Sequence, residues 1–212
     1  MSLPSLPPFR SRVVPVVVVA DVAQAVPMAR ALLAGGIDVI EITLRSSAGL
    51  AAIEAVARAV PGMHVGAGTV TRASEVRQVL DAGAAFGLSP GATPALLEAV
   101  RAEGLPFVPG VASPSEAMAA RDAGFTLLKC FPAAQLGGIE VLKAWAGPLP
   151  ELRFCPTGGI SLANLAQFLA LPNVAMAGGS WLTPAAALQA GDWARVEQLA
   201  REASALANAT PA

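Results

Sequence analysis

Eight short apolar, β-branched runs recur along this chain: VVPVVVV from Val13, IDVIEIT from Ile37, HVGAGTV from His64, AAFGLSP from Ala84, LPFVPG from Leu105, FTLLKCFP from Phe125, LRFCPTGG from Leu152 and NVAMAGGS from Asn173. Between them lie segments such as VAQAVPMARALLA and TPALLEAVRAE, whose apolar residues return every three or four positions, as amphipathic helices require. Four junctions, AGGI at Ala34, AGAA at Ala82, AEGL at Ala102 and AGFT at Ala123, put Gly just after a helical segment, where a left-handed C-cap wants it. Eight near-continuous apolar strands alternating with helices fit a closed parallel (β/α)8 TIM barrel better than an open doubly wound sheet, which usually has fewer strands. In such barrels active-site residues sit at the C-terminal strand ends, so function is to be sought where these runs end.

A chain of 212 residues can bury one good core and is too short for two ordinary enzyme domains, so residues 1–212 read as a single domain with a short Pro-containing lead over 1–12. With 54% hydrophobic and 14% charged residues, disorder is excluded. The longest apolar runs are broken by Asp, Arg, Pro or Gly before the roughly 20 residues that a membrane span requires, so no membrane partner is expected. A mean hydropathy of +0.58 implies that some apolar surface is hidden by subunit association. The formal charge of −1, without a basic run, leaves no electrostatic footprint for nucleic acid. Pro4, Pro7 and Pro8 stand where a signal peptide would need a basic and then an apolar stretch, so a cytoplasmic location is expected. Cys130 and Cys155 lack metal-type spacing and read as reduced, buried thiols.

Of the fourteen Lys and Arg residues only two are Lys. Lys129 lies inside the apolar strand FTLLKCFP near its C-terminal end, whereas Lys143 falls on a helical segment and reads as a surface residue. Desolvation at a barrel mouth disfavours the ammonium and favours the neutral amine that carbonyl attack requires. Position alone fits a Schiff-base lysine and a phosphate-binding point charge equally well. The second run ends EITLRSS, with Glu41 and Arg45 four residues apart. A carboxylate in an apolar run is expensive without a purpose; Glu41 could be a general acid and base while Arg45 grips a substrate carboxylate. An internal Glu41–Arg45 ion pair is the competing reading.

The third run ends GAGTV, where Gly66 and Gly68 leave room for a close approach and Thr69 offers a hydroxyl. PTGGI from Pro156 and GGSW from Gly178 follow the seventh and eighth runs, each before a helix start, which is the usual phosphate site of such barrels. Backbone N–H groups of Gly158, Gly159 and Gly179, with Ser180 and a helix dipole, can cradle a dianion without a lysine. That leaves Lys129 for covalent work. His64 opens the third strand at the opposite, stability face and reads as structural. Without a cluster of His, Cys and carboxylates no metal is expected, nor any other cofactor.

The ordered set EITLR, GAGTV, SPG at Ser89, PG at Pro109, LKCFPA, RFCPTGGI and GGSWL resembles the bacterial 2-keto-3-deoxy-6-phosphogluconate (KDPG) aldolases, which often also act on 2-keto-4-hydroxyglutarate (KHG). The resemblance runs from about Val13 nearly to the C-terminus. It implies a class I aldolase in which Lys129 forms the Schiff base, Glu41 is the acid and base, and Arg45 and Thr69 bind the carboxylate. Pro90 and Phe131 then line the pocket, and Thr157, Gly158, Gly159, Gly179 and Ser180 hold the phosphate. It also implies a homotrimer of (β/α)8 barrels. The sister aldolases acting on the galactonate epimer are less similar, with Asn where Arg45 stands and without the PTGG and GGSW forms, so Thr157 and Ser180 favour the gluconate epimer. The family usually has a helix before the first strand where this chain has only its Pro-containing lead, so a different cap on the barrel bottom is expected. An isomerase using Glu41 for proton transfer and Lys129 only for charge, and a silent sugar-phosphate-binding trimer, are the competing functional classes.

Overall fold

The structure, a computed structural model, describes residues 3–211. Strands and helices alternate along it: β1 (Val13–Val17), α1 (Ala25–Ala34), β2 (Val39–Thr43), α2 (Gly49–Ala59), β3 (His64–Gly68), α3 (Ala73–Asp81), β4 (Phe86–Leu88), α4 (Pro94–Glu103), β5 (Phe107–Val108) and β6 (Gly110–Val111). Then come α5 (Pro114–Asp122), β7 (Leu127–Cys130), α6 (Ile139–Ala146), β8 (Arg153–Pro156), α7 (Leu162–Leu169), β9 (Ala177–Gly179), α8 (Ala185–Ala190) and α9 (Trp193–Ala209). Every strand pair is parallel. This alternation is TIM-like, and it follows from the two periodicities in the sequence.

The ladders differ from the expected single ring of eight strands. The fifth run forms two strands, β5 and β6, on either side of Pro109, because proline has no N–H to give a ladder. β5 pairs with β4 and β6 pairs with β7. At the break the buried Ser89 hydroxyl accepts the Gly110 N–H at 3.2 Å, and the Pro109 carbonyl accepts the Lys129 N–H at 2.8 Å. The result is a six-stranded sheet in the order β5-β4-β3-β2-β1-β9 and a three-stranded sheet β6-β7-β8. Two isolated parallel bridges, Phe154 with Val174 and Thr157 with Gly178, connect β8 to the eighth run.

The glycine-punctuated helix ends are as read from sequence: Gly36, Gly83, Gly104 and Gly124 all have positive φ. α4 shows the whole device. The Thr93 hydroxyl accepts the Leu96 N–H at 3.3 Å, Pro94 opens the first turn, and Gly104 at φ +67° closes the last. Its Leu96, Leu97 and Val100 are buried. Between strands and helices the core is continuous, with Phe86, Phe154, Met28 and Leu32 fully buried. Phe154 packs on Trp145 with ring centroids 5.4 Å apart; truncating such a ring to Ala costs about 3–5 kcal/mol.

Residues 3–12 contain no helix. They cross the N-terminal ends of β2, β3 and β4 instead. Phe9 packs against His64 at 6.2 Å and Phe86 at 5.8 Å between centroids. The Asp38 carboxylate accepts the Arg10 and Ser11 N–H groups, each at 2.9 Å. Burial pushes the Asp38 carboxyl up, but these backbone donors and the Arg10 side chain more than offset it, holding the group below the usual carboxylate range.

Candidate active site

All five residues of β2 are buried, so its charged member is carried into an apolar interior by its neighbours. β7 does the same for Lys129. The two side chains meet there: Lys129 Nζ donates to Glu41 Oε1 at 2.8 Å, with 5% and 1% of the side chains exposed. The second carboxylate oxygen, Oε2, is buried and has no partner within the protein. A lone acceptor so placed is costly unless a substrate or water proton fills it. The Phe131 ring centroid lies 5.6 Å from Nζ, within cation–π distance.

One neighbour of this pair reads from the sequence only as a buried thiol and not as part of the site. Cys155 is the register partner of Lys129 on β8 and feels the charges of both Lys129 and Glu41. Burial pushes its thiol up to about 12, and that of Cys130 up to about 11, so both are neutral packing groups. The alternation of β8 could have revealed Cys155, since strand residues in register with Lys129 share its face.

Arg45 does not pair with Glu41. It is exposed just beyond β2, and its Nε lies 3.4 Å from the hydroxyl of Thr43, which itself donates to the Val17 carbonyl. Among the described residues no carboxylate lies within salt-bridge distance of Arg45. Thr69 follows β3 and adopts φ +60°, a left-handed conformation that a β-branched residue rarely takes, and one associated with functional sites. Pro90 is exposed two residues after β4 and Phe131 is half-buried immediately after β7. These side chains therefore all stand at C-terminal strand ends.

The glycine loops come together through the bridge between Thr157 and Gly178. Gly158 and Gly159 have φ of +95° and +80°, and among the described residues neither N–H has an acceptor within the protein. α7 begins directly afterwards, with Ser161 as its N-cap and its N–H received by Asn164 Oδ1 at 2.9 Å. Gly179 ends β9 and Ser180 is exposed beyond it. After β9 the helix start is later than the sequence suggests, because Pro184 stands at the N-cap and α8 begins only at Ala185. Thr157 differs from the other loop residues: it is buried, and its hydroxyl lies 3.4 Å from the Cys155 carbonyl and against Gly178.

Among the described residues no group of three or more His, Cys, Asp or Glu side chains converges as a metal site, and no helix is long and apolar enough to cross a membrane. A groove of about 1040 Å³ lies elsewhere, between α4 and α5, and is lined by Leu3, Leu97 and Ala120 among others. Neither Lys129 and Glu41 nor the strand-end and glycine-loop residues of the site line it.

The KDPG and KHG aldolase family matches residues 9–199. A 2-dehydro-3-deoxy-phosphogluconate aldolase of Pseudoalteromonas atlantica is 52% identical over 193 residues, covering 91% of this chain and 90% of the relative. The KHG/KDPG aldolase of Escherichia coli strain K12 is 51% identical over 191 residues, 90% of each chain. Among solved structures, KDPG aldolase from Legionella pneumophila, with pyruvate captured at low pH as a covalent carbinolamine intermediate, is similar at a TM-score of 0.89 and 44% identity, covering 92% of this chain and 94% of that one. The chain belongs to the KDPG and KHG aldolase family.

Proposed function

We propose that this protein is a class I aldolase, a carbon–carbon lyase that cleaves KDPG to pyruvate and D-glyceraldehyde 3-phosphate through a Schiff base on Lys129 and also accepts KHG. The observation that carries the reading is the buried 2.8 Å contact between Lys129 Nζ and Glu41 Oε1 in a chain of this family. Moving one proton along that contact converts ammonium and carboxylate into amine and acid without changing the net charge of the pair. The nucleophile can thus be generated inside the site.

The amine adds to the C2 ketone, and loss of water, with Glu41 supplying the proton, gives a protonated imine. Glu41, directly or through a water, then takes the C4 hydroxyl proton. The C3–C4 bond breaks, its electron pair passes into an enamine with the iminium as sink, and the aldehyde leaves. Protonation at C3 and hydrolysis release pyruvate and restore the lysine. Arg45 and Thr69 hold the pyruvate carboxylate, with Pro90 and Phe131 lining that end. The N–H groups of Gly158, Gly159 and Gly179 and the Ser180 hydroxyl hold the phosphate, with Thr157 beneath them. Holding the substrate at both ends converts binding into orientation of the scissile bond.

In this reading residues 1–212 form one domain, and the two sheets make one (β/α)8 barrel. Its closure is supported by the bridges between β8 and the eighth run and by the continuity of β5 and β6 through Pro109. The enzyme works as a cytoplasmic homotrimer, as the family resemblance implies; the high mean hydropathy favours subunit association but no particular number of subunits. Incubation with pyruvate and sodium borohydride followed by intact mass and peptide mapping tests the chemistry. A pyruvate-derived adduct on Lys129 is expected; no adduct would move the reading to an isomerase or a silent binding protein.

A further inference from the structure

Gly68 occupies the last position of β3, in register with Thr43 of β2. Its φ is not in the left-handed region, so the backbone there admits an alanine. Glycine weakens a strand interior and calls for a reason. The reason is spatial: the three atoms nearest to a Cβ built on Gly68 would all belong to Glu41, namely Oε1, Cγ at 2.5 Å and Cδ at 2.7 Å. The Glu41 side chain therefore lies flat against the backbone of β3.

Glu41 is itself in register with Gly66, not Gly68. The space over Gly66 is taken by the fully buried Phe86 ring, whose atoms a Cβ on Gly66 would strike. The carboxylate is thus displaced towards the C-terminal end of the strands, into the gap that Gly68 leaves, and there it meets Lys129. Phe86 closes one position and Gly68 opens the next.

We infer that Gly68 is a positioning residue for the aldol cleavage: its missing side chain sets where the Glu41 carboxylate stands relative to Lys129. This rests on the aldolase reading above. A methyl group at this position would push the carboxylate off its present site, breaking the contact through which the proton moves, while leaving the Arg45 and glycine-loop ends of the substrate site untouched.

The test is a cycle of four proteins: wild type, Gly68→Ala, Glu41→Ala and the double variant. Gly68→Ala is expected to lower kcat for KDPG cleavage by about 100-fold or more, the scale of a misplacement of about 1 Å, while KM changes little. On the Glu41→Ala background the same methyl group has nothing to displace, so kcat falls no further, within about twofold. Thermal stability gives a readout that needs no turnover: Gly68→Ala lowers Tm in the wild-type background and raises it once Glu41 is Ala. If Gly68→Ala alone fails to fold, the comparison of Glu41→Ala with the double variant still decides, and a double variant that is less stable overturns the inference. Multiplying kcat losses, or a Gly68→Ala enzyme with normal kcat, overturn it as well. Absence of a borohydride adduct in the wild type would instead sink the aldolase reading and leave the Tm comparison to judge the steric relation by itself.

Discussion

Lys129 Nζ and Glu41 Oε1 stand 2.8 Å apart, although 88 residues separate them in sequence. The contact depends on strands β2 and β7, which do not pair with each other and belong to different sheets. Carrying either group alone at this depth is costly: removing one partner of such a buried pair typically costs about 3–5 kcal/mol. Each residue therefore makes the other tolerable, and the orphaned Oε2 leaves the pair with one unsatisfied acceptor for a substrate proton.

Lys129→Ala removes the only amine in the site. Turnover of KDPG is expected to fall by on the order of 10⁴ or more, as for loss of a covalent nucleophile. Borohydride trapping of pyruvate should disappear while the far-ultraviolet circular dichroism stays that of the wild type. Appreciable residual cleavage would remove Lys129 from the covalent role.

Glu41→Gln keeps the shape of the side chain and removes its capacity to take a proton. The imine should still be trapped with pyruvate, though more slowly, because Lys129 remains in place. Cleavage of KDPG, followed by the release of pyruvate, should slow by about 10²–10⁴, the usual contribution of a positioned acid and base. Near-normal turnover would reduce Glu41 to an ion-pair partner of Lys129.

Arg45 has no carboxylate partner among the described residues, only a long 3.4 Å hydrogen bond to the Thr43 hydroxyl. Arg45→Ala should leave thermal stability nearly unchanged, within about 0.5 kcal/mol, as for other exposed substitutions away from networks. Its loss should instead raise KM for KDPG by about 10- to 100-fold, the worth of a charge-assisted hydrogen bond of about 1.5–3 kcal/mol. A fall in Tm without a change in KM would assign Arg45 to the fold.

The parts of this molecule that were legible in sequence are those where one residue breaks a local rule. Lys129 and Glu41 each put a charge in an apolar strand, an expense that a chain meets only for a reason. Their partnership was less legible. Four-residue spacing made Arg45 the natural partner of Glu41, yet the contact is made across the interior, where register and not spacing decides. Pro109 did carry a signal, since proline cannot give a ladder hydrogen bond, and it divides the fifth run as that rule demands. The left-handed backbone at Thr69 had no signal, because β-branched residues normally avoid that region. The absence of helix over residues 3–12 fits the prolines there, whereas the capture of this segment by Asp38 depends on where the chain crosses the strand ends.

That capture gives the pH dependence of folding a defined sign. The folded Asp38 carboxyl titrates below its ordinary value of 3.8, since burial, which raises it, is outweighed by the donors Arg10 and Ser11. The ionised form is therefore the one the fold prefers. Its contribution is fully present above the unfolded value and is lost as pH falls below about 3.8 through the folded value. Asp38→Asn keeps one acceptor oxygen and loses the charge that strengthens both backbone hydrogen bonds, so at pH 7 it should cost about 1.5–3 kcal/mol in urea unfolding. The difference between variant and wild type should hold above the ordinary value of 3.8 and shrink as the pH is lowered through and below it, because the unfolded carboxylate is protonated there first and the folded one only at lower pH. A difference that stays constant across that range would show that Asp38 acts through shape alone and that the lead is held by Phe9 against His64 and Phe86.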